Sequence, residues 1–143
     1  MIKAAQKEGI YVAANFIIGF PTETWDEIRK TINFAEELNL DYMKLFSLIP
    51  LRNTKLWDIC EENNYFRQGF SEETRHWSTG QVETKDFKPD DLTILRAYEW
   101  DRVNFTDPRK RKRTAEMMGI SEEELLEIRR STLSNACKMV KLG

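Results

Sequence analysis

The chain has 143 residues, 41% hydrophobic and 32% charged, with a mean hydropathy of -0.59. Its 22 basic and 24 acidic residues leave a net charge of -2, which gives no global pull toward nucleic acid or anionic membrane. No apolar run approaches the ~20 residues of a membrane span and the first nine residues hold no signal-peptide core, so the expectation is a cytoplasmic chain with no membrane partner, long enough for one domain with a buried core.

Residues 1–8 read as the end of a helix, with Gly9 where a helix C-terminal glycine belongs. Residues 10–18, Ile-Tyr-Val-Ala-Ala-Asn-Phe-Ile-Ile, lack polar alternation. Such a run predicts a strand buried on both faces, as in parallel sheets. A Gly19-Phe20-Pro21 turn follows, and Thr24 through Glu27 has the spacing of a capping box. Trp25, Ile28, Ile32, Ala35 and Leu38 then recur at helical spacing to an end near Asn39. Residues 41–48 form the next strand, closed by Pro50. Strand, helix and strand in succession make a βαβ unit and an α/β fold.

Asn53 or Thr54 opens another helix, with Leu56, Trp57, Ile59 and Cys60 inward. Residues 65–88 read as a loop with a short strand around Gln81–Thr84. From Pro89 the chain turns helical, with Leu92, Leu95, Tyr98 and Val103 on one stripe. Asp107 and Pro108 open a helix that stops at Gly119. Ser121 to Glu124 is a second capping box, and Leu125, Ile128, Leu133, Ala136 and Val140 make the last helix amphipathic. A boundary near residue 88 divides an α/β part, 1–88, from an all-helical extension, 89–143.

Several features tempt a functional reading and have plainer alternatives. The basic run Arg109 to Arg113 looks like a nucleic-acid patch, but such a run is usually a solvated helix face. Residues 108–140 have the rhythm of a helix-turn-helix, an alternative role as a DNA- or protein-interaction module. Its reading helix would open with Glu122, Glu123 and Glu124, which repel phosphates, so nucleic acid is not an expected partner. His76 is the only histidine, and no serine or cysteine beside it suggests a nucleophile pair. Cys60 and Cys137 lie in no CxxC pair and read as buried free thiols. Trp77, in the irregular segment, is a candidate to face substrate.

The stretch from Gly9 to about Trp57 resembles the second half of a radical S-adenosylmethionine domain. Asn15-Phe16-Ile17-Ile18-Gly19-Phe20-Pro21-Thr22-Glu23-Thr24 is similar to that family's fifth-strand motif in its G-F-P-x-E-T form. Against the short form, GxIxGxxE, Asn15 replaces the first glycine and one extra residue precedes Glu23. Ile49-Pro50-Leu51-Arg52-Asn53-Thr54-Lys55-Leu56 resembles the family's P-L-P-G-T-x-L strand ending, with Arg52 and Asn53 in place of Pro-Gly.

The resemblance implies a partial (β/α) barrel of TIM type and an iron-sulfur oxidoreductase or transferase. In that family a [4Fe-4S] cluster reductively cleaves S-adenosylmethionine to a 5′-deoxyadenosyl radical. The helical tail resembles that of cobalamin-dependent members, which makes cobalamin a candidate further cofactor. The family's cluster ligands sit on a CxxxCxxC loop, and two distant cysteines cannot replace three thiolates. The chain therefore reads as a C-terminal piece of such an enzyme, inactive alone and holding no cofactor by itself. Its expected partners are the missing N-terminal half of the barrel and a small-molecule substrate.

The same resemblance nominates cofactor-binding residues. Ile17 would give a flat apolar face for an adenine, and plain sheet core is the alternative. Gly19, with no Cβ, lets backbone and ligand approach closely, or is merely a turn glycine. Glu23 lies beside a helix N-terminus, where a negative charge is favoured with or without a ligand. Ser47, Leu48 and Pro50 end the second strand, where backbone groups and apolar side chains of the family contact the adenine; core is again the alternative for Leu48. Finally, the exposed edge of strand 10–18 should seek a partner, so self-association is expected.

Overall fold

Four helix starts are held by caps already legible in the sequence. In the computed structural model, which describes residues 1–142, helix α2 (Trp25–Glu37) starts at Thr24. The Thr24 hydroxyl accepts from the Glu27 N–H, and the Glu27 carboxylate accepts from the Thr24 N–H at 2.8 Å, a complete capping box. Thr54 caps α3 (Lys55–Glu62) by accepting from the Trp57 N–H. Ahead of these lies the short α1 (Ile2–Lys7), followed by Gly9 at φ 78°. Gly143, the last residue of the expected helical extension, lies outside the described residues.

Strands β1 (Ala13–Ile18) and β2 (Tyr42–Ser47) form a two-stranded parallel sheet, in register from Ala13 opposite Tyr42 to Ile18 opposite Ser47. With α2 between them they are a βαβ unit, as the alternation of apolar runs predicts. The expectation that residues 10–18 are buried on both faces is not met. The strand begins at Ala13, Ile10 is exposed, and burial alternates along β1. Ala14, Phe16 and Ile18 pack with Met43 and Leu45 into the main core, beside Ile28 and Ile32 of α2. Ala13, Asn15 and Ile17 point the other way, because among the described residues helices cover only one side of β1.

Helix α4 (Pro89–Phe105) explains why the sheet stops at β2. It lies along the outer edge of that strand and supplies side chains where a third strand would supply backbone. The Asn104 amide accepts from the Met43 N–H at 2.8 Å and donates to the Met43 carbonyl at 2.8 Å. Arg96 donates to the Leu45 carbonyl at 3.4 Å, and the Ser47 N–H donates to the Trp77 carbonyl at 2.9 Å. Every outward-pointing group named here is satisfied, which removes the hazard of an open edge. A helix in this position is buried nearly all round, so the expected single stripe on α4 fails. Tyr98 is exposed, while Thr93, Arg96 and Asn104 are buried.

Helices α5 (Pro108–Met118) and α6 (Glu122–Leu142) follow, joined through Gly119 at φ 69°. Asp107 caps α5, and Ser121 with Glu124 forms the second capping box. A smaller core of Tyr42, Trp100, Phe105, Ala115 and Leu125 joins them to β2 and α4. Of the stripe expected on α6, Leu125 and Ala136 are buried and Ile128 is exposed. Residues 65–88 form a loop whose one ladder contact is the antiparallel bridge of Phe66 with Val82.

The basic run is more than a solvated face. Lys110 donates to the Val103 carbonyl at 2.9 Å and Arg111 to the Phe105 carbonyl at 3.3 Å, so two cations cap the C-terminal end of α4. Arg113 pairs with Asp41, which is buried at the start of β2 and also accepts from the Val12 N–H at 2.8 Å. The run thus fastens α5 to α4 and to the sheet. Among the described residues no helix is long and apolar enough to cross a membrane.

Candidate functional site

The carboxyl ends of β1 and β2 lie side by side. The Leu48 N–H donates to the Ile18 carbonyl at 2.8 Å, one rung beyond the paired strands. Directly after Ile18 the chain turns through Gly19 at φ 87°, a value that favours glycine. Glu23 closes this turn. One of its carboxylate oxygens accepts from the Gly19 N–H at 2.7 Å and from the Phe20 N–H at 2.9 Å. Burial pushes the Glu23 carboxyl above its ordinary value; the two N–H donors oppose that shift without cancelling it, and Glu27 nearby adds to it. Glu23 therefore shapes the loop between β1 and α2 from within.

The other nominated residues divide between the two sheet faces. Ile17 stands on the open face, 46% exposed. Gly19 is buried, and the space a Cβ would take there is filled by the Leu92 side chain of α4, whose Cδ1 would lie 2.8 Å away. Ser47 is opposite Ile18 in register and so shares the core face; it is buried, and its hydroxyl has no hydrogen-bond partner. Leu48 and Pro50 are buried at the strand end.

Sequence reasoning missed the true neighbours of Ile17. Register places Phe46 opposite Ile17 and Lys44 opposite Asn15, all on the open face. Strict two-residue alternation along 42–47 would have found Phe46 instead of Ser47. Trp77 packs edge-on against Phe46 with ring centroids 5.1 Å apart, so the loop 65–88 contributes an aromatic wall to this face. Behind Trp77, at 5.2 Å, lies the guanidinium of Arg96, a buried cation that the sequence did not single out. The face is a mixed platform: aliphatic and aromatic surface beside an amide and an ammonium group.

What this platform can do is bind and orient. A correction concerns His76: Ser78 does lie within reach, its hydroxyl 2.6 Å from the His76 Nδ1. The Ser78 N–H donates to the same nitrogen at 3.2 Å, so the pair is a turn in which Nδ1 serves as acceptor. Cys60 is fully buried, and burial pushes its thiol up to about 11, which keeps it protonated and inert. Cys137 is half-buried on α6, beside the Tyr98 hydroxyl at 3.9 Å. Among the described residues no group of three or more histidine, cysteine or acidic side chains is placed to hold a metal.

Comparison with known proteins gives partial relatives. The chain is 41% identical over 63 residues to an uncharacterized methyltransferase of Pyrococcus horikoshii, a match covering 44% of this chain and 14% of that protein. It is 31% identical over 64 residues to an uncharacterized protein of Methanocaldococcus jannaschii, covering 45% of this chain and 20% of the other. It is also 31% identical over 52 residues to a tRNA-2-methylthio-N(6)-dimethylallyladenosine synthase of Thermosipho africanus, covering 36% of this chain and 12% of the synthase. The matched segments thus span a fifth or less of these relatives. No family profile matches the chain, and no solved structure does.

Proposed function

We propose that this chain is the C-terminal part of a radical S-adenosylmethionine enzyme. Its β1 and β2 would be the last two strands of a partial (β/α) barrel, within residues 1–88, and residues 89–143 a helical extension over them. The observation that carries this reading is the one-sided sheet. The outer edge of β2 is closed by Asn104, Arg96 and Trp77, whereas β1 pairs on one side only among the described residues. A barrel's final strand needs such closure, and its preceding strand needs a neighbour on the other side. The names of two relatives, a methyltransferase and a methylthio-installing synthase, agree with S-adenosylmethionine chemistry.

The residues present fit part of a nucleoside site. Ile17 and Phe46 offer adjacent apolar surface on the open face, and the Glu23-braced turn holds the end of β1 rigid beside it. These would bind and orient the adenine, with the backbone of Ser47 and Leu48 at the neighbouring strand end. Bound S-adenosylmethionine would supply a reactive adenosyl group on reductive cleavage. For the [4Fe-4S] cluster the fit fails within this chain: Cys60 is sealed in the core and Cys137 sits on α6. The cluster would belong to the partner half of the barrel, and substrate would enter from the open face. Cobalamin remains part of the proposal and is tested by corrinoid absorbance of the intact enzyme.

The test begins with the isolated chain and the complete gene product, each treated anaerobically with iron, sulfide and reductant. The complete product is expected to bind a four-iron cluster through a CxxxCxxC loop encoded upstream and to release 5′-deoxyadenosine from S-adenosylmethionine. A stoichiometric cluster in the isolated chain, or a complete product without that loop, would overturn the proposal.

A further inference from the structure

One cavity on the open face has a charge imbalance that the proposed function does not use. It has a volume of about 240 Å³ and lies between β2, α4, α6 and the loop carrying Trp77. Phe46, Trp77, Trp100 and Ile128 form its apolar walls, Lys44 stands at its side, and Arg96 lines it from α4. No carboxylate lines it.

Arg96 is 5% exposed, yet its hydrogen-bond partners are two neutral carbonyls, Ser78 at 3.1 Å through Nε and Leu45 at 3.4 Å through Nη1. Its Nη2 has no partner among the described residues. Burial lowers its pKa to about 10, with the Tyr42 phenol opposing the shift, so the guanidinium keeps its charge at neutral pH. Tyr42 is itself pushed up by burial and stays neutral, so it offers no counter-charge. Its oxygen accepts from the Trp100 indole N–H at 3.0 Å, which leaves the phenol hydrogen without an acceptor among the described residues. The Trp77 ring, 5.2 Å from the guanidinium, offsets part of its burial, and no anion among the described residues completes it.

A larger hollow of about 760 Å³ beside Trp57 offers a contrast. Its lining mixes Arg52 and Arg67 with Glu61, Glu72 and Glu73, and Arg52 is already paired with Glu72. Carboxylates outnumber guanidinium groups there, three to two, so the excess is of the opposite sign.

We propose that the Arg96 cavity binds a small carboxylate that carries a planar aromatic ring. The ring would lie against Phe46 and Trp77, and the carboxylate would meet Arg96 Nη2, Lys44 and the Tyr42 hydroxyl. Guanidinium groups take carboxylates with directional, charge-assisted bonds, and edge-on aromatic walls favour a flat ring. The cavity is smaller than the roughly 300–1,000 Å³ typical of drug-sized ligands, which limits the occupant to one or two rings. This inference goes beyond the S-adenosylmethionine reading and needs neither that cofactor nor a cluster.

The test uses the 143-residue chain and two probes of equal shape, phenylacetate and uncharged phenylacetamide. Nuclear magnetic resonance follows the indole N–H signals of the four tryptophans. Phenylacetate is expected to shift the Trp77 and Trp100 signals saturably, and phenylacetamide to bind at least about tenfold more weakly. Lys44→Gln, on an exposed side chain, should weaken phenylacetate about threefold and leave the affinity for phenylacetamide unchanged. Equal affinity for both probes, shifts confined to Trp25 and Trp57, or no saturable shift would overturn the proposal. Tighter binding of phenyl phosphate than of phenylacetate would overturn the carboxylate assignment. None of these failures bears on the cluster and 5′-deoxyadenosine test above.

Discussion

Asn104 carries the closure of the sheet, and its removal should be the most damaging polar substitution in the chain. It is fully buried, as is Met43, and its amide satisfies both the N–H and the carbonyl of Met43 at 2.8 Å. Asn104→Ala leaves two buried backbone groups without partners. Each such group costs about 1–3 kcal/mol, so the loss should fall near 4 kcal/mol, a large share of the roughly 5–15 kcal/mol available to a domain. At about 3 °C per kcal/mol for a chain of this size, the melting temperature should fall by about 12 °C. Urea unfolding followed by circular dichroism measures the first quantity, and hydrogen exchange at the Met43 amide reports the same event locally. Asn104→Asp tests the chemistry: it keeps an acceptor for the Met43 N–H but loses the donor and sets a carboxylate against the Met43 carbonyl, so it should be no better than alanine. A loss below about 1 kcal/mol for Asn104→Ala, with Met43 exchange unchanged, would refute the claim that this amide replaces a missing strand.

Glu23 has a raised folded pKa, so its contribution to stability is greatest below its ordinary value and declines as pH rises through the folded value. Glu23→Gln, whose amide oxygen can still accept from Gly19 and Phe20, should therefore gain stability relative to the parent as pH rises from about 4 to about 7; a constant difference in thermal melts would count against the burial argument. Asp41 behaves oppositely. Burial alone would raise its pKa, but Arg113, Val12 and Gln6 outweigh that and hold it below the usual carboxylate range. Its contribution is present above the unfolded value and is lost as pH falls through the folded one, so Asp41→Asn should flatten the acid limb of the stability profile. Gly80→Ala should lower the urea midpoint, because the new Cβ would collide with Pro89 backbone atoms; an unchanged midpoint would refute the packing account. Self-association through the free edge of β1 should appear as concentration-dependent sedimentation and weaken on Asn15→Pro, which cannot donate along that edge; a monomer at all concentrations would refute it.

Local signals were legible because their chemistry is local. Thr24 with Glu27, Asp107 with Pro108, and Ser121 with Glu124 each satisfy backbone groups within one turn, and each cap forms where the spacing placed it. The βαβ order was legible from apolar runs alone. Burial was not, because it depends on what lies across the sheet. Residues 10–18 have a composition suited to two covered faces, yet β1 has one. That mismatch leaves Ile17 46% exposed on the open face, opposite Phe46.

The residues hardest to foresee are the polar ones on α4. In sequence Arg96 and Asn104 interrupt an apolar helix, and their spacing does not say what they meet. In the fold they are its most constrained positions, because the helix runs beside a strand edge whose carbonyls and N–H groups demand partners. Helical spacing reports which residues share a face and is silent on whether that face meets side chains or backbone. Here it meets backbone, so polarity marks the inside. The same logic separates the two cations of the site: Arg96 is anchored by carbonyls on the edge, and Lys44 projects from the open face, so any anion they share must bridge a fixed donor and a mobile one. Such a pair would orient a ligand through the planar guanidinium and tolerate variation in it through the flexible ammonium.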